Sequence, residues 1–281
     1  MNNLTELSNS NNINIDDIEL TSIKNIYIFM KYYNKLKEHK NIIDDYYKEW
    51  DNFKKYMNPY ELIYSPYDRN INASKHNPIS RSFFKMWEIL NRFNLINIDD
   101  NIVIANIAEG PGGFIESIFK YKKQNNNDIY ICNTLYPSNK NIPSWNKFYK
   151  FINENNIKSI KLLYCDLYNY KNVIEYINNF RDKKASFITA DGGFDYSNDF
   201  NKQEENSSHI IYSEIVSALA IQDKGGNFVI KIFDTFTIFT LKCIFLLNSF
   251  YENIYLYKPL TSRVANSEKY IICKKFKGID K

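Results

Sequence analysis

Asp191, Lys231 and Glu268 are charged residues at or beside the ends of segments with the apolar, β-branched character of strands. Asp191 follows Phe187-Ile-Thr-Ala and opens Asp-Gly-Gly-Phe194, Lys231 ends Asn227-Phe-Val-Ile, and Glu268 just precedes the last strand-like run. A fourth charge, Lys85, lies on a helix-like stretch ahead of the first strand of the series. An Asp before two glycines is an ordinary turn former. A lysine between Ile230 and Ile232 is less ordinary, because an unpaired charge in a buried strand is costly. It needs a carboxylate partner or a function, and Asp191, at the end of what should be a neighbouring strand, supplies the partner. A lysine so placed is either half of a structural ion pair or a group that moves a proton.

The second feature is Asn106-Ile-Ala-Glu-Gly-Pro-Gly-Gly-Phe114, preceded by the β-branched run Ile102–Ile107 and followed by helix-like spacing from Gly113 to Lys120. Strand, glycine turn and helix in this order bring backbone N–H groups close to a ligand and favour an anionic group at the helix start. The spacing is neither Gly-x-Gly-x-x-Gly nor a turn followed by Gly-Lys-Ser/Thr, so NAD and ATP motifs are absent. Taken alone, the segment is equally readable as a plain turn.

The elements that must position these residues alternate. Strands are predicted at 102–107, 129–134, 160–164, 186–190, 227–233, 253–257 and 269–274. Helices are predicted at 113–122, 145–154, 173–180, 203–222 and 236–250, and a further helix follows Ser80 as its cap, with Phe83, Phe84, Trp87 and Leu90 inward. This implies an α/β fold whose mostly parallel seven-stranded sheet carries helices on both faces and ends in a C-terminal antiparallel hairpin. Ligands of such sheets sit at the carboxyl ends of the strands, where strand order reverses. Upstream, 1–14 reads as a frayed terminus, and 18–36 and 42–57 as two helices packed on the main domain by their apolar stripes. Their Tyr and Lys content could instead stack on RNA bases. The domain division is 1–75, an N-terminal helical extension and loop, and 76–281.

The net charge of +4 permits nucleic-acid binding only through a local patch. Cys132, Cys165, Cys243 and Cys273 lie far apart without metal-ligand spacing, so buried reduced thiols are expected and no metal. Three histidines lack a nucleophile partner pattern. There is no signal peptide pattern and no bilayer-spanning apolar run. The expectation is a soluble intracellular protein of cytoplasm or nucleus, or of a virus factory or virion if the source is a large DNA virus.

Gly110-Pro-Gly-Gly-Phe114, Ala190-Asp-Gly-Gly-Phe194, Val229-Ile-Lys-Ile-Phe-Asp234 and Lys258-Pro-Leu-Thr-Ser-Arg-Val-Ala-Asn-Ser-Glu-Lys-Tyr270 resemble, in order, the motifs of the FtsJ-like ribose 2′-O-methyltransferases. Within that group the likeness is greatest to the mRNA cap 2′-O-methyltransferases, and Asn58-Pro-Tyr-Glu61 and Arg81-Ser-Phe-Phe-Lys-Met86 extend it upstream. The resemblance implies a Rossmann-like fold, S-adenosyl-L-methionine as cofactor, and a catalytic set of Lys85, Asp191, Lys231 and Glu268, with Lys231 as base. It implies cofactor contacts from Gly110, Pro111, Gly112, Gly113, Phe114 and Asp191, with Asp166 near the adenine. Relatives often carry an acid where this chain has Asn106, and Glu109 is expected to compensate. RNA is the implied partner, the 5′ end of capped mRNA foremost, with Arg81 and Arg263 on its phosphates. A capping or transcription protein is a further expected partner, and no DNA or membrane is. A ribosomal or transfer RNA enzyme, and a non-catalytic RNA-binding or scaffold subunit, are the alternatives.

Overall fold

The computed structural model describes residues 4–7, 27–65, 69–193 and 200–279. Its centre is an eight-stranded sheet of β1 (Leu4–Leu7), β2 (Val103–Ile107), β3 (Ile129–Thr134), β4 (Ile160–Tyr164), β5 (Ala185–Ala190), β6 (Gln222–Ile232), β7 (Tyr251–Tyr257) and β8 (Lys269–Phe276). The strand order is β1-β7-β8-β6-β5-β2-β3-β4. Strands β6, β5, β2, β3 and β4 run parallel to one another, while β8 is antiparallel to both β6 and β7.

Side chains alternate across this sheet with a period of two, so one strand feeds two cores. Val103, Ala105 and Ile107 of β2 face a core closed by α6 (Tyr170–Asn178), α7 (Gln203–Ile221) and α8 (Ile238–Phe250). Ile104 faces the other core, closed by α3 (Ser82–Phe93), α4 (Gly113–Tyr121) and α5 (Asn146–Glu154). All five β2 residues are buried, as expected of a central parallel strand covered on both faces. The chain leaves β2 toward β3 and β4, then returns to lay β5 on the opposite side of β2. The crevice of reversal therefore lies between the carboxyl ends of β2 and β5.

Four sequence expectations change. The terminus read as frayed contains β1, which pairs antiparallel with β7 (Leu4 opposite Tyr257), while its remaining residues lie outside those described. Of the helix expected at 18–36, residues 18–26 lie outside those described, and helix α1 spans Met30–Asp44, with α2 at Tyr47–Tyr56. No described side chain of α1 or α2 is buried, so their apolar stripes do not pack into the domain core; Tyr32, Tyr46, Phe53 and Tyr56 are exposed. The tie to the body is made by Tyr33 against Tyr27 and Phe236, and by Lys40 paired with Asp234 at 2.9 Å. Ser80 does not cap α3 with its side chain; its hydroxyl pairs with that of Ser82 at 2.6 Å. Trp87 is only partly covered and stacks on Phe83, while Met86 and Ile89 take the inward positions. All four cysteines are buried free thiols. Among the described residues no helix is long and apolar enough to cross a membrane.

Candidate active site

Register explains how three of the four charged residues meet. β6 lies between β5 and β8, with Ala190 opposite Ile230 and Lys231 opposite Tyr270. Asp191, one residue past the end of β5, and Glu268, one residue before β8, thus flank the end of β6 that carries Lys231. Lys231 Nζ lies 3.2 Å from Asp191 Oδ1 and donates to the Asp191 carbonyl at 2.7 Å. The fourth residue arrives from outside the sheet. α3 delivers Lys85, whose Nζ is 2.8 Å from Glu268. The outcome is two adjacent ion pairs of alternating sign, all four side chains largely covered.

Supporting groups appear that the sequence reading did not single out. Tyr270 donates its hydroxyl to Asp191 Oδ1 at 3.1 Å, and Ser262 donates to Glu268 Oε1 at 2.8 Å. Lys258 Nζ donates to the carbonyls of Asn266 and Glu268, and burial lowers its proton affinity to about 8. On α3, one turn from Lys85, Glu88 accepts from the backbone of Leu260 and Thr261 and from the Tyr257 hydroxyl. All but Glu88 belong to the Lys258–Tyr270 motif, which was the available signal. Gly193 is explained by Lys231, since a Cβ there would stand 3.1 Å from Nζ.

Charge governs the site. Burial alone would lower the proton affinity of Lys231, but Asp191, Glu268 and Glu214 outweigh it and bring it up to about 12. Burial would likewise raise Glu268, yet Lys85 and Lys231, with hydrogen bonds from Lys85 and Ser262, hold it at about 2. Lys231 and Glu268 are therefore charged at neutral pH.

The glycine turn lies next to this cluster, joining β2 to α4. Ala108, Gly110 and Pro111 are partly exposed, whereas Ile107, Glu109, Gly112 and Gly113 are buried. Asn133 at the end of β3 holds the turn, accepting from the Ala108 amide at 2.8 Å through its side chain and from the Glu109 amide through its carbonyl. Gly112 needs to be glycine: its φ is +107° and a Cβ would lie 2.8 Å from the Phe148 ring. Ala108 also has a left-handed φ, +54°, which a residue with a Cβ adopts at a cost of roughly 1 kcal/mol. Ala108→Val should lower stability by about 2 kcal/mol, because β-branching is worse tolerated there. Ala108→Gly should shift the thermal midpoint by no more than ~3 °C, since relief of strain and greater unfolded-state entropy oppose each other. Thermal unfolding of both variants checks this.

Several expected cofactor ligands do not face the open edge. Asn106 is fully buried; its Nδ2 donates to Thr189 at 2.7 Å and its Oδ1 accepts from Cys132, making it a link across three strands. Glu109 folds beneath the turn and accepts the Phe114 amide at 2.8 Å, and burial together with Asp191 raises its carboxyl well above the usual range. It supports the turn from beneath, and the Phe114 ring belongs to the core. Asp166 is exposed beyond β4, where Oδ1 accepts from the Tyr168 amide at 2.9 Å. Gly110, Pro111 and Asp191 remain at the open edge. Partly exposed turn backbone with carboxylates at Asp191 and Asp166 is a donor set that fits a cationic amino-acid nucleoside.

The two arginines expected on RNA are brought together, but by a carboxylate. Arg263 grips Glu61 through Nε at 3.0 Å and a terminal nitrogen at 2.6 Å. Arg81 lies 3.4 Å from the same carboxylate and donates to the carbonyls of Tyr60, Glu61, Tyr64 and Thr261. Asn58 also donates to Glu61. Arg81 thus ties the 58–65 segment to the loop leading to Glu268.

Comparison with known proteins gives a consistent picture. A model of the FtsJ-like methyltransferase family matches residues 78–276. The mouse protein named cap-specific mRNA (nucleoside-2′-O-)-methyltransferase 2 is 28% identical over 266 residues, which is 87% of this chain and 33% of that one. The human cap-specific mRNA (nucleoside-2′-O-)-methyltransferase 1 is 30% identical over 243 residues, covering 79% of this chain and 28% of its own length. The chain thus spans a third or less of these relatives. A crystal structure of a ribosomal RNA methyltransferase from Plasmodium falciparum superposes with a TM-score of 0.53 at 18% identity, over 71% of this chain and 99% of that one, a likeness of fold.

Proposed function

Because the chain belongs to the FtsJ-like methyltransferase family, we propose that it transfers a methyl group to the ribose 2′-hydroxyl of the first transcribed nucleotide of capped mRNA. The observation that carries this reading is the pair of ion pairs Lys231–Asp191 and Lys85–Glu268 at the carboxyl edge, beside the glycine turn. S-adenosyl-L-methionine, when bound, supplies an electrophilic methyl on a sulfonium. Lys231 Nζ, once neutral, would take the proton of the attacking ribose hydroxyl. The work left to the protein is alignment and proton removal.

Lys231 can accept that proton only after giving up its own, and Asp191 and Glu268 oppose this. A cationic cofactor held near Asp191 would offset that opposition, because Asp191 would then share its charge between that cation and Lys231. Lys85 and Glu268 fix the charge around the hydroxyl, and Tyr270 keeps Asp191 turned toward Lys231. Gly110, Pro111 and Asp191 would hold the methionine end of the cofactor, and Asp166 is the candidate for its nucleoside end. RNA is the partner this chemistry requires, and cap recognition is supported by the names of the relatives.

The test is transfer of labelled methyl from S-adenosyl-L-methionine to short RNAs bearing a methylated cap, an unmethylated cap or no cap. Label at the first ribose 2′-oxygen that depends on the cap is the expected result. Equal labelling of uncapped structured RNA would sink the cap assignment. No labelling of any RNA by folded protein would sink the enzymatic reading.

A further inference from the structure

Glu214 is a charged-type residue on the buried stripe of α7, beside Ile210, Ile211, Ile215 and Ala218, and it is 0% exposed. A buried carboxyl in an apolar face is costly unless its position is needed. Oε1 accepts from the Gly192 amide at 2.9 Å, and Oε2 has no hydrogen-bond partner. The approach is close enough that a Cβ on Gly192 would sit 2.3 Å from Oε1. The two glycines after Asp191 therefore have separate causes, Gly192 admitting Glu214 and Gly193 admitting Lys231.

Resting on the methyltransferase reading above, we propose that Glu214 is a positioning residue of the transfer reaction, holding the Asp191-Gly192-Gly193 turn so that Asp191 meets Lys231. One hydrogen bond from α7 reaches the backbone immediately after Asp191, on the turn whose first carbonyl also receives Lys231 Nζ. Glu214 thus acts on the base without touching substrate.

The protonation of Glu214 supplies a signature that packing alone would not. Burial raises it to about 8, against the opposing pull of Lys231 and the Gly192 amide and with a contribution from Asp191. Below that pH it is a neutral acid, and above it a carboxylate that adds to the attraction on the Lys231 proton. Asp191 and Lys231 face it from the sheet edge and Tyr168 from the β4–α6 loop; Glu268 acts on Lys231 from β8 and Lys258 titrates nearby. All of these remain when Glu214 alone is changed.

The experiment compares wild type, Glu214→Gln and Glu214→Ala in the full chain. It measures kcat and KM for RNA from pH 6.5 to 9.5, with hydrogen exchange of the segment containing Gly192. Glu214→Ala should lower kcat roughly 10²-fold, with KM changed less than about threefold, and speed exchange at Gly192. Glu214→Gln, which keeps an acceptor oxygen, should restore exchange protection and most of kcat at pH 7. Its rate should rise smoothly through pH 8, where wild type shows a shoulder. Wild-type kcat and pH profile in Glu214→Ala would overturn the proposal, as would unchanged exchange at Gly192. A shoulder at pH 8 as large in Glu214→Gln as in wild type would overturn the electrostatic part. If wild type itself labels no RNA, the methyltransferase reading fails, while exchange at Gly192 still decides whether Glu214 holds the turn.

Discussion

Lys231→Arg should remain folded and lose methyl transfer by at least ~10²-fold, toward ~10⁴-fold. Arginine keeps the positive charge and its attraction to Asp191 and Glu268, yet its guanidinium does not surrender a proton in proteins. The variant therefore separates the two readings of this lysine that its sequence context leaves open. If Lys231 serves only as half of a structural pair, activity should survive the exchange; if it is the base, activity should vanish with little change in thermal midpoint. Lys231→Met is the companion variant, because Gly193 leaves limited room beside Nζ. It should be both inactive and less stable, since removing one partner strands Asp191 at a mostly covered site. The pH dependence follows the same logic. Lys231 is held as a cation to about pH 12, so wild-type turnover should increase as pH rises from 6.5 toward 8, and neither variant should show that increase. Equal rates for Lys231→Arg and wild type at pH 7.5 would remove Lys231 from the role of base.

Glu61→Gln should lower stability by about 2 kcal/mol at neutral pH, less than the ~3–5 kcal/mol of a fully buried broken pair because these side chains keep some exposure. Two arginines share this one carboxylate, and without its charge they are left to repel each other. Burial alone would raise the Glu61 carboxyl, but Arg263, Asn58 and Arg81 outweigh it and hold it at about 2, below the ordinary 4.5. A carboxyl depressed in the folded state stabilises above its unfolded value, and loses that contribution as pH falls through the folded value. The stability gap between wild type and Glu61→Gln should thus be full above about pH 5 and close toward pH 2. Thermal unfolding from pH 3 to 8 measures it, and a gap independent of pH would show that the carboxylate charge is not what holds the arginines. A loss of RNA affinity in Arg81→Ala should be judged beside its thermal midpoint, because the substitution also releases the 58–65 segment.

The alternation of strands and helices was legible because each parallel strand is a continuous apolar run and each covering helix repeats its apolar residues every three or four positions. Strands β3 and β4 were placed to the residue. β1 was not legible: Leu-Thr-Glu-Leu carries no pattern of its own and becomes a strand only by pairing with β7. The N-terminal helices show the reverse failure, since an apolar stripe reveals that a helix is amphipathic without revealing what covers it. In the site, three of the four charges were legible as residue types at strand ends, and Lys85 as a charge on the helix ahead of them. What escaped was direction. Asn106 and Glu109 occupy the expected turn, but strand alternation and the bend at Ala108 send both side chains inward. Arg81 and Arg263 were expected on phosphates because they flank the tetrad in sequence, and the pairing was not legible because their common partner, Glu61, lies 20 and 202 residues away in the chain. Glu214 offered a signal that went unused, a carboxyl set between Ile210, Ile211, Ile215 and Ala218 on the buried face of its helix.

Helix α3 binds the loop after β7 at two points, Glu88 to Leu260 and Thr261 near its beginning and Lys85 to Glu268 at its end. The two anchor points are set by a single rigid rod, so the loop's ends cannot part by hinging. Any widening of that flank during the catalytic cycle must carry α3 with it as one body, moving Lys85 and Glu268 in concert and preserving their pairing. On the opposite flank, Leu135, Tyr136 and Asp166 stand exposed beyond β3 and β4, outside that brace.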